Sequence, residues 1–356
     1  MWGMRVSRSK KSVAALATGG AVLALGLVGP ASPVTAGVGA ASAASAGACP
    51  SGHSDARQRG GGDGTDPNSV TAAQTAAMEQ QLQAGIAALP RQARKAARQL
   101  VLGKRHGHHH GHHGHHPRLP KHVKINTYVH VITQSDGAGD VTNAQIRQQM
   151  KVINDGFKGK TSPTAAWTPF KFVLKSIDRT ANDDWYDWGY PGDEETPPTD
   201  TDDEEAKTAL HRGGWADLNV YIAGLGDGLL GYATFPDEGD LKLDGLVLLN
   251  DSLPGGAAAP YNEGDTATHE IGHWLYLLHT FENGCNFPGD EVPDTAYQND
   301  GDNIFECDEA LDTCAQPGTD PVHNFMSYGD DPCLDEFTKG QSLRMTYAWL
   351  VFRAGR

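Results

Sequence analysis

From residue 122 onwards the sequence predicts an α/β domain of the α+β kind, with strands and helices following one another along the chain. Residues 123–132 alternate apolar with polar side chains and are rich in β-branched residues, which is the pattern of a strand. Apolar residues recur at helical spacing over residues 142–157, which indicates an amphipathic helix. Residues 284–332 are rich in Gly, Asp, Asn and Cys and have little periodicity, so cross-links must order them.

Shorter apolar runs predict the remaining elements of this domain. Buried strands are expected at residues 170–174, 218–222, 229–235 and 246–249. Asp265 or Thr266 is suited to cap a helix that starts there. Thr338 and Gln341 form a capping box that opens a last helix.

The helix that starts near residue 265 carries the motif His269-Glu270-x-x-His273. Positions i and i+4 of a helix lie on the same face, so both imidazoles can reach one metal ion. Neutral imidazoles hold Zn²⁺ and leave a coordination position open for water. Glu270 is close enough to take a proton from that water. His279 follows six residues after His273, where a third ligand can arrive once the helix has ended.

Residues 1–48 are predicted to be a secretory signal peptide. They combine a basic start, an apolar run over 13–28 and a tail of small residues with Ala-x-Ala-like sites. The alternative is a membrane anchor, which two glycines inside the apolar run disfavour. We therefore expect a secreted, extracellular protein with no stable membrane anchor.

Residues 49–105 are predicted to be a helical pro-segment. Met78, Leu82, Ile86 and Leu89 share one helical face, and Pro90 splits the segment into two helices. The segment is too small for a core of its own, so it should pack on the catalytic domain. The alternative is a spacer helix. Cys49 is a possible latency thiol, because a thiolate could take the open position of the metal. Alternatively, it is simply the first residue after the signal or lies inside the signal.

Residues 106–121 form a histidine-rich linker. Eight histidines occupy the eleven positions 106–116, a composition that cannot build a core and binds metals loosely. The charge changes sign here. Residues 1–121 carry a net charge of +10 and residues 122–356 carry −25. So acidic a domain argues against binding nucleic acid.

Four cysteines, Cys285, Cys307, Cys314 and Cys333, follow the predicted metal-binding helix. In an exported protein an even set of this kind indicates two disulfides, and sequence alone leaves three pairings open. Cys49 is the fifth cysteine and has no partner in this count.

Several ordered motifs over residues 122–356 resemble the pappalysin (cytophagalysin-like) family of metzincin zinc metalloproteases, of the secreted bacterial type. The resemblance is carried by Leu230–Pro236, Thr266–Leu275, His279-Thr280-Phe281, Gly289-Asp290-x-Val292-x-Asp294-Thr295, Asn324-x-Met326-x-Tyr328 and Phe337-Thr338-x-x-Gln341-x-x-Arg344-Met345. It implies a metzincin catalytic domain, with a twisted mixed sheet, an active-site helix and a smaller disulfide-bridged lower subdomain.

The resemblance also implies a set of site residues. Zinc would be bound by His269, His273 and His279, with Glu270 as the general base. Met326 would form the Met-turn beneath the metal, and Tyr328 would act beside it on the developing oxyanion. The disulfides would be Cys285–Cys314 and Cys307–Cys333. The strand over 230–235 would pair with an extended substrate, and the loop over 290–295 could hold Ca²⁺.

The sequence departs from the family at Tyr276, where the family has a glycine that turns the chain out of the helix. A tyrosine that keeps a positive φ costs about 1 kcal/mol or more. The helix could therefore end differently, and His279 could sit imperfectly, with Asp294 or Glu282 as less favoured substitute ligands.

Taken together, the sequence predicts a secreted zinc metalloendopeptidase that acts on polypeptide substrates as a monomer. The alternative is a catalytically impaired metzincin-fold protein that acts in metal or protein binding.

Overall fold

The computed structural model describes residues 68–91, 119–188, 202–226, 228–237 and 239–356. The predicted signal peptide, Cys49 and residues 106–118 of the histidine-rich linker lie outside these ranges. So do parts of the predicted pro-segment, including the second of its two helices. The division of the chain into these segments therefore stays a prediction.

The helices are α1 (Ala72–Ala88), α2 (Asn143–Gly156), α3 (Asp183–Tyr186), α4 (Asp202–Leu210), α5 (Asp265–Trp274) and α6 (Lys339–Ala348). A π-helical turn over Trp349–Arg353 continues α6, and short 3₁₀ turns lie at Leu241–Leu243, Asn250–Ser252 and Asp302–Phe305. The strands are β1 (Val123–Thr133), β2 (Phe170–Ala181), β3 (Asp187–Trp188), β4 (Asp217–Leu225), β5 (Gly231–Ala233) and β6 (Leu246–Leu249).

The strands form a mixed sheet in the order β2-β1-β4-β6-β5. All neighbours are parallel except β5, which runs antiparallel to β6 and forms one edge. β3 pairs with the end of β4. The predicted mixed sheet with an active-site helix is thus confirmed.

Two helices cover the sheet and bury its main core. The inner face of α2 carries Ile146, Met150 and Ile153, and they pack with apolar residues of β1, β2 and α5. Thr142 and Gln145 form a capping box at the start of α2. Because α5 lies in the middle of this core, all ten of its residues are buried.

β2 is longer than predicted and β5 is shorter. The sequence pattern indicates a strand over 170–174, but pairing with β1 continues to Ala181 after an irregularity at Thr127/Tyr128. Residues of β2 beyond 174 are half-buried or exposed on an edge strand, so they lack the apolar alternation that marks a strand.

The lower part of the domain, from residue 277 to 337, has almost no regular structure and is cross-linked. Disulfides join Cys285 to Cys314 and Cys307 to Cys333, which are the pairs implied by the resemblance. Each closes a loop of fewer than thirty residues, which restricts the unfolded chain and so favours the folded one.

Helix α1 packs on this domain rather than standing apart. Its N-terminus is closed by a capping box of Thr71 and Gln74, and it ends before Pro90. Met78 and Leu82 are buried in a cluster with Tyr276, Tyr347 and Phe352. Within the described residues, every helix is too short or too polar to cross a bilayer.

Candidate metal centre

Helix α5 presents His269 and His273 one turn apart on the same face. His269 is 5% exposed and His273 is fully buried. The helix does not begin with a side-chain cap at Asp265 or Thr266, as the sequence suggested; its N-cap is Gly264. Instead, the Asp331 carboxylate accepts hydrogen bonds from the backbone N–H groups of Glu263 and Gly264, at 2.6 and 2.9 Å. A residue remote in sequence therefore fixes the start of the helix.

The chain leaves α5 through a left-handed residue, and that residue is Tyr276, with φ of 77°. The backbone N–H of Tyr276 donates to His273 O at 2.7 Å, and that of Leu277 donates to Gly272 O at 2.9 Å. The chain therefore adopts at Tyr276 the left-handed conformation that favours glycine. The sharp turn brings His279 back towards the helix.

Contacts of the Tyr276 side chain and carbonyl offset the cost of its backbone conformation. The ring is fully buried, 4.8 Å from the ring centroid of Phe352. Its hydroxyl lies 2.7 Å from Asp237 Oδ2 and 3.1 Å from Met78 O. Arg344 Nε donates to the Tyr276 carbonyl at 3.0 Å. The departure from glycine is therefore accommodated without displacing His279.

Three imidazoles converge at this turn. His273 Nε2 lies 3.1 Å from His269 Nε2 and 3.0 Å from His279 Nε2. The two substitutes considered from the sequence lie elsewhere. Glu282 faces the other ring nitrogen of His279, with Oε2 3.7 Å from Nδ1. Asp294 accepts hydrogen bonds from Thr338 and Gly340 at the start of α6.

The tautomers of two histidines fit a metal site. His269 Nδ1 donates to Phe325 O at 2.6 Å and His273 Nδ1 donates to Leu277 O at 2.9 Å, because a carbonyl oxygen can only accept. Both Nε2 atoms therefore carry lone pairs, and these face each other within about 3 Å, which is unfavourable without a cation between them. A tetrahedral zinc ion holds its nitrogen ligands about 3.3 Å apart, close to the spacing seen.

Burial keeps the imidazoles of His269 and His273 neutral. Desolvation, and after it the proximity of His279, lower the pKa of His269 to about 3. The same causes, together with His269, lower the pKa of His273 well below its ordinary value. A neutral imidazole is the form that binds a metal, so the ligands need not lose a proton first.

Glu270 lies fully buried beside the triad. A small cavity of about 30 Å³ is lined by His269, Glu270, Thr266, Leu230 and Tyr328, which is room for a water molecule. Strand β5 passes close to Glu270, since a Cβ built on Gly231 would lie 3.2 Å from Glu270 Cγ. The carboxyl group, one imidazole and the edge strand thus meet at one cavity.

The segment that carries Met326 lies beside the triad, since Phe325 O accepts a hydrogen bond from His269 Nδ1. Met326 is fully buried, and a Cβ on Gly272 would clash with its sulfur, so the methionine packs directly on α5. Tyr328 Oη lies 3.2 Å from His279 Nε2. Gln298 accepts from Thr280 Oγ1 at 2.7 Å and so holds the segment that follows the third histidine within the lower part of the domain.

The structure brings together His269, Glu270, His273, His279, Met326 and Tyr328, while Cys49 lies outside the described residues. Sequence reasoning missed Asp331, Gln298 and the support of Tyr276 by Asp237. These residues act through contacts far apart in sequence, and no local pattern marks them.

Comparisons with known proteins find a matching family model and several relatives. The model of peptidase family M43, described as pregnancy-associated plasma protein-A, matches residues 204–349. The chain is 40% identical over 239 residues to an extracellular metalloprotease of Pyricularia oryzae, covering 65% of this chain and 77% of that protein. It is 38% identical over 241 residues to an extracellular metalloprotease of Arthroderma benhamiae, covering 65% and 74%.

Solved structures with the same fold include mirolysin and its precursor from Tannerella forsythia. Mature mirolysin in complex with a cleaved peptide superposes with a TM-score of 0.52 and 27% identity, over 65% of this chain and 96% of that one. A promirolysin mutant gives a TM-score of 0.54 and 25% identity, over 74% and 88%.

Proposed function

This chain belongs to the pregnancy-associated plasma protein-A family of metallopeptidases, and from that membership we propose that it is a secreted zinc endopeptidase with Glu270 as its general base. It is a metalloprotease that acts on peptide substrates. The observation that carries the assignment of the site is the convergence of three Nε2 atoms, from His269, His273 and His279, beside a buried Glu270.

We assign the metal ligands to the three histidines and the proton transfer to Glu270. A zinc ion, when bound there, supplies Lewis acidity to a water molecule and to the scissile carbonyl. Glu270 takes one proton from the attacking water and returns it to the nitrogen of the leaving amine. Because its carboxyl group is buried beside the small cavity, bulk water does not compete for that proton.

Tyr328 is assigned to the developing oxyanion. Its hydroxyl lies 3.2 Å from His279 Nε2 and lines the small cavity beside Glu270. With that nitrogen serving as a metal ligand, the hydroxyl would be placed to donate its proton to the substrate oxygen. A donor held ready for developing negative charge lowers the barrier.

We place an extended peptide along the outer edge of β5. Thr234 N donates to Gly245 O and Leu249 N donates to Leu230 O, so residues 230 and 234 face β6. Residues of a strand alternate in the direction of their N–H and C=O groups, and those of Gly231 and Ala233 therefore point outward. A substrate strand can pair with them beside Glu270.

Calcium is proposed for the loop over 290–295. The Asp290 carboxyl is buried, and burial raises its pKa to about 7. It accepts a hydrogen bond from Val292 N at 3.0 Å. A divalent cation would stabilise the ionised form of this buried group, and carboxylate and hydroxyl oxygens such as those of Asp290 and Thr295 suit Ca²⁺.

We further propose that the protein is made as an exported zymogen. The segments are the signal peptide 1–48, the pro-segment 49–105, the linker 106–121 and the catalytic domain 122–356. Relatives named extracellular metalloproteases, and a wider match to the precursor of mirolysin than to its mature form, support this organisation. Cys49 as a latency thiol is tested by Cys49→Ser, which should raise the activity of the precursor.

We propose that the enzyme acts on polypeptides as a monomer. It is not expected to bind nucleic acid, because residues 122–356 carry a net charge of −25. Export and a substrate-binding edge require no second subunit. Size-exclusion chromatography with light scattering checks the monomer.

The experiment that tests the assignment compares Glu270→Ala with Glu309→Ala, a control at a carboxylate whose side chain is 83% exposed. The mature protein should cleave casein and lose activity with a chelator. Glu270→Ala should lose about 10²–10⁴-fold while still binding zinc, and the control should not change. Undiminished cleavage by Glu270→Ala would exclude this site. Absence of cleavage by the unmodified mature protein would favour the catalytically impaired alternative.

A further inference from the structure

The segment that precedes α1 contacts the edge strand directly. Asn68 Nδ2 donates to Ala233 O at 2.8 Å, and Ala233 N donates to Asn68 Oδ1 at 3.0 Å. The amide of one buried side chain, 2% exposed, thus engages both outward-pointing backbone groups of one strand residue. A residue of an added β-strand would make the same pair of bonds.

This contact lies on the path of a peptide that reaches the general base. Gly231 lies close to Glu270, and Ala233 is two residues further along β5, about 7 Å away. An extended peptide that pairs with both residues must replace the Asn68 amide. The strand residues on either side face β6 and offer no alternative edge.

Helix α1 holds Asn68 in this position through three kinds of contact. Met78 and Leu82 are buried against the catalytic domain. The Glu79 carboxylate forms an ion pair with Arg344 Nη1 at 2.7 Å, and the arginine side chain is 7% exposed. The Tyr276 hydroxyl lies 3.1 Å from Met78 O.

Tyr276 and Arg344 connect this anchor to the metal centre. Tyr276 forms the turn that brings in His279, and Arg344 donates to the Tyr276 carbonyl. The same two residues therefore hold both α1 and the third-histidine turn. The anchor uses the tyrosine that replaces the expected glycine.

We propose that Asn68 is an inhibitory plug, whose side-chain amide occupies the backbone position on β5 that a peptide substrate needs. Residues 71–88 are its anchor. The inference rests on the proposed function, because a blocked strand edge matters only to an enzyme that binds extended peptides there. It adds to any role of Cys49, which would act on the metal rather than on the strand.

The test uses the full chain in the Glu270→Ala background, where self-processing cannot occur. Binding of fluorescein-labelled casein is measured by fluorescence anisotropy, for this protein and with Asn68→Ala, Asn68→Asp or Gln80→Ala added. Two hydrogen bonds of ordinary net strength correspond to about tenfold in an equilibrium constant. Asn68→Ala should therefore bind casein about tenfold more tightly, and hydrogen exchange at Ala233 should become faster.

The other variants separate the plug from general loosening. Asn68→Asp keeps an acceptor for Ala233 N but lacks the donor for Ala233 O, so its effect should be intermediate. Gln80→Ala lies on the exposed face of α1 and should bind casein as the parent does. Unchanged affinity in Asn68→Ala, or an equal rise in Gln80→Ala, would overturn the inference.

A catalytic measurement distinguishes failure of the plug from failure of the proposed function. This measurement uses the full-length precursor that keeps Glu270, after mass spectrometry has verified that it is uncleaved. In this precursor, Asn68→Ala should raise the initial rate of casein cleavage about tenfold. If the mature protein cleaves casein while Asn68→Ala leaves the precursor unchanged in both assays, only the plug is wrong. If no form cleaves casein but the affinity rises, the proposed function is wrong and the blocked edge stands.

Discussion

Replacing Tyr276 by alanine, glycine or phenylalanine separates the strain of its backbone from the contacts of its ring. The residue has φ of 77°, and its ring is fully buried. Truncating a buried aromatic ring costs about 3–5 kcal/mol, so both Tyr276→Ala and Tyr276→Gly should lower the free energy of unfolding by about that amount. A left-handed conformation costs alanine about 1 kcal/mol more than glycine, so Tyr276→Gly should be the more stable of the two.

Tyr276→Phe isolates the hydroxyl. It keeps the ring packing and loses the hydrogen bond to Asp237, which is half-buried, so we expect a loss of about 1–2 kcal/mol. The assay is urea unfolding of the full chain with Glu270→Ala, at equal zinc and protein concentrations. Zinc affinity should fall in the order Tyr276→Phe, Tyr276→Gly, Tyr276→Ala, because the turn positions His279. If Tyr276→Ala proves as stable as Tyr276→Gly, residue 276 does not hold a left-handed conformation and the argument is refuted.

Three further changes probe the elements around the site. Asp331→Ala removes the acceptor of the backbone N–H groups of Glu263 and Gly264, which directly precede α5, and should cost about 1–2 kcal/mol in urea unfolding; an unchanged midpoint would rule out this support. Asp244→Asn leaves the buried Arg353 guanidinium without its carboxylate partner and should lower the free energy of unfolding by about 3–5 kcal/mol. A loss below about 1 kcal/mol in the same assay would contradict this reasoning. The folded-state pKa of Asp290 is raised from 3.8 to about 7, so without calcium its contribution to stability is present below pH 4 and lost as pH rises to 7. Calcium should therefore raise the melting temperature more at pH 8 than at pH 5, an effect absent in Asp290→Asn; equal shifts at both pH values would remove the calcium site.

The triad and its helix could be predicted because their geometry is local. His269 and His273 are one helical turn apart, and His279 follows within a single short segment. Helical periodicity and a fixed ligand spacing are both visible in eleven consecutive residues. The strand β1 and the helix α2 were predictable for the same reason, since their apolar periods match the buried faces found in the structure.

The supports of the site could not be predicted, because they come from distant parts of the chain. Tyr276 is stabilised by Asp237, Met78 and Arg344, which are separated from it by 39, 198 and 68 residues. The same holds for Asp331, which reaches the start of α5 from 66 to 68 residues away. The disulfides could be predicted only in part. The number of cysteines left three possible pairings, and only the family resemblance implied the pairs found in the structure.

The central claim is that one zinc ion is held by His269, His273 and His279. Its most direct test is the zinc content of the secreted protein, with the histidines of residues 106–116 replaced by serine so that loosely bound metal is not counted. We predict one zinc per chain, and none when His273→Ala is added. A protein that contains no zinc yet still cleaves casein, or that keeps its full zinc content with His273→Ala, would contradict the account.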